Sequence, residues 1–269
     1  MRHRVLAVLI GGLAAFASAQ IASAADLPRK APVFTPPPPA PLFGWTGFYV
    51  GVNGGYAWGR SDVSTTVGSA GTYFVPDDVT QIAAAGAATL RPDGGTGGIQ
   101  AGYNWQGGNF VLGVEADFNA LALKASRSIT VEYLSALGTF FTINQSIETR
   151  WLFTARPRIG WAMDNWLLYV TGGLAVTELK YGGTFTDTFA AAFQNGSISK
   201  TKAGWVIGGG VEYGLTRNWS VKAEYLYVDF GGVSSTGVVS ETGGGSDALN
   251  HSANLTASIA RAGINYRFN

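Results

Sequence analysis

Three groupings of residues could do chemistry. His251 is followed by Ser252, with Asp247 close by and Asp229 upstream. A serine nucleophile, a histidine base and an orienting carboxylate form a hydrolase centre when the fold brings them together. Here the His-Ser pair lies in a stretch rich in Gly and Ser, and its residues are expected to be solvent-exposed loop residues. A histidine metal site would need partner ligands that the mature chain lacks. Gly94-Gly95-Thr96-Gly97-Gly98 has the glycine content of a phosphate loop, but no lysine follows and no helix is signalled. It is expected to be a loop and a strand start. The third grouping is larger. Glu115, Asp117, Arg156, Arg158, Glu212, Lys222, Glu224, Arg261 and Arg267 each fall on one side of a stretch whose other side is apolar.

The elements that position these charges show a period of two. Ile99, Ala101, Tyr103 and Trp105 alternate with Gln100, Gly102, Asn104 and Gln106. Phe110 to Phe118 repeats the pattern against Val111, Gly113, Glu115 and Asp117. Phe153 to Trp161 repeats it against Thr154, Arg156 and Arg158, and Trp205 to Tyr213 against Glu212. Such alternation marks half-buried strands. It predicts eight strands over about 45–60, 97–106, 110–125, 149–163, 166–181, 201–214, 219–230 and 255–268. Each reaches the roughly 9–11 residues that cross a bilayer at a tilt. The connections at Gln106–Asn109, Asp164–Asn165 and Leu215–Asn218 are tight turns. Those near 61–96, 126–148, 182–200 and 231–254 are long and rich in small residues. Short turns on one rim and long loops on the other are expected of an outer-membrane barrel, with both chain ends on the periplasmic side.

In that frame the apolar face meets lipid, where a mid-depth Arg or Lys costs roughly 2–4 kcal/mol. The nine charged residues therefore belong inside, four acids facing five bases. An eight-stranded barrel is just wide enough for side chains to fill it. The expectation is an internal plug of ion pairs and no active site, with a narrow water path as the alternative. Trp45, Trp105, Phe110, Trp161, Trp166, Tyr213, Trp219 and Phe268 lie at the predicted periplasmic strand ends. They are expected to form an interface girdle. Trp58, Trp151 and Trp205 mark the opposite ends.

Composition agrees. The 269 residues hold 13% charged residues, 38 glycines and no cysteine. Disulfides and thiolate metal sites are thereby excluded. A net charge of +1 gives no sign of nucleic-acid binding. Arg2 and Arg4, the apolar Val5–Phe16 stretch and Ala22-Ser23-Ala24 predict a signal peptide over 1–24, cut after Ala24. A proline-rich periplasmic linker follows over 25–43, containing Pro36-Pro37-Pro38-Pro39. The barrel domain is placed at 44–269, with no peptidoglycan-binding domain expected after the last strand.

The segment Gly44-Trp45-Thr46-Gly47-Phe48-Tyr49-Val50-Gly51-Val52-Asn53-Gly54-Gly55-Tyr56 resembles the opening of the Omp25/Omp31 (RopB-like) outer-membrane proteins of alphaproteobacteria. So do Ala25-Asp26-Leu27-Pro28 with the proline run, and the final Arg261-Ala262-Gly263-Ile264-Asn265-Tyr266-Arg267-Phe268. The resemblance implies an all-β, eight-stranded, OmpA/OmpX-like transmembrane barrel with surface loops and a role in envelope integrity. It also implies that Tyr266 and Phe268 act as the assembly signal, although Asn269 follows here where the family ends in an aromatic. Relatives are loosely called porins, and some are described as haem-binding. Neither activity carries over residue by residue.

The expected function is therefore a non-enzymatic envelope protein of the outer membrane, without cofactor. A narrow diffusion porin and a loop-mediated ligand or host-surface binding protein are the alternatives. The first long connection, with Tyr73-Phe74-Val75 and its Ala-rich run, is the candidate binding surface. Expected partners are outer-membrane lipid and lipopolysaccharide, the barrel-assembly machinery and periplasmic chaperones. No nucleic acid is expected, and the protein is taken as a monomer or weak homo-oligomer.

Overall fold

The computed structural model describes residues 43–68, 73–240 and 246–268. The expected signal peptide, nearly all of the linker and Asn269 lie outside them. In chain order the elements are β1 (Gly47–Val67), α1 (Pro76–Gly86), β2 (Ala88–Leu90), β3 (Asp93–Gly107), β4 (Phe110–Glu132) and β5 (Phe140–Met163). Then come β6 (Trp166–Asp187), β7 (Phe193–Asn195), β8 (Ile198–Gly214), β9 (Trp219–Ser240) and β10 (Ser246–Phe268). Eight of the strands are long. Each pairs antiparallel with two long neighbours, β1 with β3, then β4, β5, β6, β8, β9 and β10 in turn. β10 returns to β1, from Phe48 opposite Phe268 to Val67 opposite Leu249. The ladder therefore has no long free edge, which is how a sheet can lie in lipid with its backbone groups paired.

The tight turns fall where the sequence puts them. Gly108 and Asp164 adopt left-handed backbone in the β3–β4 and β5–β6 turns. Such turns match the strand twist and favour Gly, Asn or Asp. The long connections differ from expectation. Most of 126–148, 182–200 and 231–254 is strand, and 61–96 contains α1 and β2. The strands continue well past the segment that alternation predicts.

The physical reason is an inversion of the pattern along the strand, seen on β4 and β10. On β4 the outward side chains run Phe110, Leu112, Val114, Ala116, Phe118, Ala120, Ala122, and then Lys124, Ser126, Ser128 and Thr130. The inward ones run Glu115, Asp117, Asn119, and then Leu121, Leu123, Ile129 and Val131. The lower part is apolar outside and polar inside, as lipid demands; the upper part is the reverse, as water demands. β10 does the same, with Ile264 and Ala262 outward below and Asn254, Ser252 and Asn250 outward above. A search for apolar-out strands stops at the switch, although the backbone ladder does not.

Two arginine substitutions test the inversion. Val114→Arg, on the outward face of the apolar band, should cost about 2–4 kcal/mol. Ser128→Arg, outward on the upper part of the same strand, should change stability by no more than about 0.5 kcal/mol. Reversible unfolding from lipid vesicles measures both, and equal costs would mean that both positions share one medium.

Candidate functional site

The interior is stacked in layers. At the short-turn end Phe43 and Trp45 turn into the barrel, where they pack with Val111, Ala162, Leu167 and Tyr169. Trp45 is fully buried, so it is not part of the girdle. Its ring and that of Phe43 lie under the Arg267 guanidinium, at 4.9 and 4.5 Å. Arg267 also donates to the Gly44 carbonyl. The chain entering β1 thus closes this end, and Arg267 is spent on that closure. The remaining girdle aromatics stay on the outer face as edge-to-face or tilted pairs, Phe110 with Trp161 and Trp166 with Tyr213. Trp219 packs on Tyr266, which packs on Phe268.

Above this closure the other eight charged residues come together. β4 supplies Glu115 and Asp117, β5 Arg156 and Arg158, β8 Glu212, β9 Lys222 and Glu224, and β10 Arg261. Arg156 reaches Glu115 at 2.7 Å, Asp117 at 2.8 Å and Glu224 at 3.0 Å. Arg261 reaches Glu224 at 2.6 Å and Asp117 at 3.0 Å. Lys222 holds Glu115 at 2.8 Å, and Arg158 holds Glu212 at 2.7 Å. Four acids thus meet four bases, all almost entirely out of solvent. Burying such charges is costly unless they are paired and their remaining hydrogen bonds are met.

Several neutral groups that sequence reasoning missed help to meet them. Tyr49 donates to Glu115 at 2.8 Å and Tyr169 to Glu224 at 3.1 Å. Thr154 donates to Asp117, Ser220 and Asn265 donate to Glu212, and Gln100 donates to Asn265. Their signal was present, because each shares the inward parity of a charged neighbour. Room for the tyrosine rings comes from glycine in the wall. A Cβ on Gly102 or Gly210 would collide with the hydroxyl of Tyr49 or Tyr169.

Above the ionic layer lies an apolar one, including Leu121, Leu123, Leu152, Leu179, Leu226 and Phe230. A polar layer follows, centred on His251. Its ring nitrogens meet the Thr65 hydroxyl and the Gln194 side-chain carbonyl, both at 2.9 Å. Gln145 donates to Thr65 and to the Gly86 carbonyl at the end of α1. His251 is buried, not exposed as expected, and Ser252 points to the outer surface, where it bonds to Ser64. The adjacent pair is thus split across the wall. Asp247 is equally distant from that chemistry, since it accepts the backbone N–H groups of Tyr73 and Phe74.

The outermost layer is a second apolar cluster, containing Phe74, Ile82, Phe141, Ile143, Phe185 and Leu249. α1 lies over it. Tyr73 and Phe74, expected as a surface, are turned inward instead, Phe74 to 4% exposure. Gly94 to Gly98 lie within β3, not in a loop.

A profile of the outer membrane protein β-barrel domain matches residues 9–268. The chain belongs to this family. It is 34% identical over 263 residues to the 31 kDa outer-membrane immunogenic protein of Brucella melitensis, covering 97% of this chain and 99% of that one. It is 29% identical over 223 residues to the 25 kDa outer-membrane immunogenic protein of Brucella abortus, covering 78% and 83%. The 22 kDa outer membrane protein of Rhizobium leguminosarum is 30% identical over 196 residues, covering 72% and 68%. The protein is accordingly an outer-membrane β-barrel of the Omp25/Omp31 type.

Two predictions follow from the layers. Arg156→Leu removes the base shared by Glu115, Asp117 and Glu224, leaves the buried network one positive charge short, and should destabilise the barrel by about 3–5 kcal/mol, read as a lower midpoint of denaturant unfolding. An unchanged midpoint would remove Arg156 from the network. His251 lies in the upper, water-facing part of β10, and burial holds its pKa below the ordinary imidazole value. A folded pKa below the unfolded one means that its stabilisation is complete above the unfolded value of about 6.5 and is lost as pH falls below it. Protection of the α1 amides, measured relative to the intrinsic exchange rate at each pH, should therefore fall between pH 7.5 and pH 5, and His251→Gln should flatten that dependence.

Proposed function

We propose that this protein is a non-conducting, non-catalytic structural element of the outer membrane, which anchors an outer β extension to the bilayer. The observation that supports this reading is the filled interior. From Trp45 to α1, a charged layer, an apolar layer, a polar layer and a second apolar layer succeed one another. A hydrated ion path would have to cross both apolar layers, and close-packed apolar side chains leave water few partners there. The matched ion pairs serve packing in this reading, because each carboxylate is already held by a base or a hydroxyl. The expected partners are lipid and lipopolysaccharide at the apolar band, and the assembly machinery and periplasmic chaperones that deliver a barrel to it.

The relatives are named immunogenic outer-membrane proteins. That name fits a protein whose upper half stands in water, as the inverted parts of β4 and β10 do here. The narrow-channel alternative makes the opposite electrical prediction. Refolded protein in a planar bilayer, with folding checked by heat-shifted gel mobility, should stay silent. Reproducible single-channel openings would bring the porin reading forward.

A further inference from the structure

The outer end of the barrel combines two features that a merely inert cap does not need. The first is exposed apolar surface. Leu134 and Leu137 on the β4–β5 tip are 70% and 82% exposed, Phe189 is 61% exposed, and Val75 at the start of α1 is 46% exposed. They surround one pocket of about 150 Å³. Val75 and Phe189 line it directly, and the tip carrying Leu134 and Leu137 lines it through Tyr133 and Ser135. Contiguous apolar surface in water marks an interaction site.

The second feature is charge. Among the described residues of 73–90, 125–147, 181–197 and 232–252, the carboxylates are Asp77, Asp78, Glu132, Asp187 and Asp247. The only Lys or Arg there is Arg127, whose guanidinium is turned to the Ala85 carbonyl. Asp78 and Asp187 lie in the pocket wall. Asp78 accepts the Ser135 hydroxyl and the Val75 N–H. Asp187 accepts the hydroxyls of Tyr73 and Tyr133 and the N–H groups of Ala190 and Ala192. All these donors are neutral. Two largely buried carboxylates thus share a small opening with no countercharge among the described residues, and an arriving cation would gain from both.

We propose that this outer rim is a docking surface for a partner protein segment that presents one Lys or Arg flanked by apolar side chains. The cationic side chain enters the pocket between Asp78 and Asp187, and the apolar neighbours cover Val75, Leu134, Leu137 and Phe189. A pocket of this size suits one long side chain. Anionic occupants such as phosphorylated glycolipids or nucleic acid would meet carboxylates instead. The proposal goes beyond the structural reading and stands whether or not the barrel conducts.

The full chain in zwitterionic nanodiscs is titrated with a fluorescent peptide of alternating Leu and Arg. A Leu/Glu peptide and a Ser/Arg peptide of equal length serve as probes of each component. Binding of the Leu/Arg peptide alone, weakening as salt rises, is expected. Leu134→Ser/Leu137→Ser/Phe189→Ser changes only exposed side chains and should weaken it at least tenfold. Asp78→Asn should do the same, with heat-shifted mobility reporting that the barrel is folded. Equal binding of all three peptides, no binding, or binding unchanged in the triple variant would overturn the proposal.

Discussion

Inside a bilayer a backbone N–H has no partner except another part of the chain. The β1–β10 ladder meets this constraint, and the rest of the structure depends on it. Without that ladder the two terminal strands would each expose a full row of donors and acceptors to hydrocarbon. Closure through eight long strands also fixes the lumen at a width that side chains must fill. The interior is therefore dictated in volume before any residue is chosen. The closing strands, with Phe48 of β1 opposite Phe268 of β10, must meet before the ring exists, so the fold depends on contacts of very long range along the chain.

What fills the lumen follows from which medium lies outside. In the lipid-facing part the inward positions are the only ones open to charge, and charge there needs a full set of partners. Arg156, with three carboxylates around it, is the centre of that set. In the water-facing part the inward positions become the dry ones, and leucines and phenylalanines take them. The His251 layer separates the two apolar clusters. Its neighbours Thr65, Gln145 and Gln194 can satisfy it without a carboxylate.

Much of this was legible in the sequence, for reasons that differ by element. The lower strands announced themselves because aromatic and aliphatic side chains faced Glu115, Arg156 or Glu224 at every second position. The interior placement of the charges followed from the cost of the alternative. The upper strands were hidden because their outward residues are Ser, Thr and Asn, which composition alone assigns to loops. α1 had a local signal in Pro76-Asp77-Asp78, a proline and two acids in a first turn, but the Ala-rich run after it carried little amphipathic contrast. Trp45 was misplaced because its position at a strand start suits an interface ring as well as a plug. Only the fold shows the chain bending inward beneath Arg267.

The inversion of pattern within strands such as β4 and β10 has a consequence for fidelity of pairing. In an ordinary half-buried strand, slipping by one residue exchanges the two faces and is opposed along its length by one outside medium, water. Here the same slip would fail twice. Glu115 and Asp117 would be pushed into hydrocarbon at one end of β4, while Leu121 and Leu123 would be turned toward the aqueous side at the other. Two media with opposite demands act on one rigid strand, so each half proofreads the other. A barrel wall rich in small, weakly discriminating residues such as Gly, Ala and Ser can in this way still commit to one alignment.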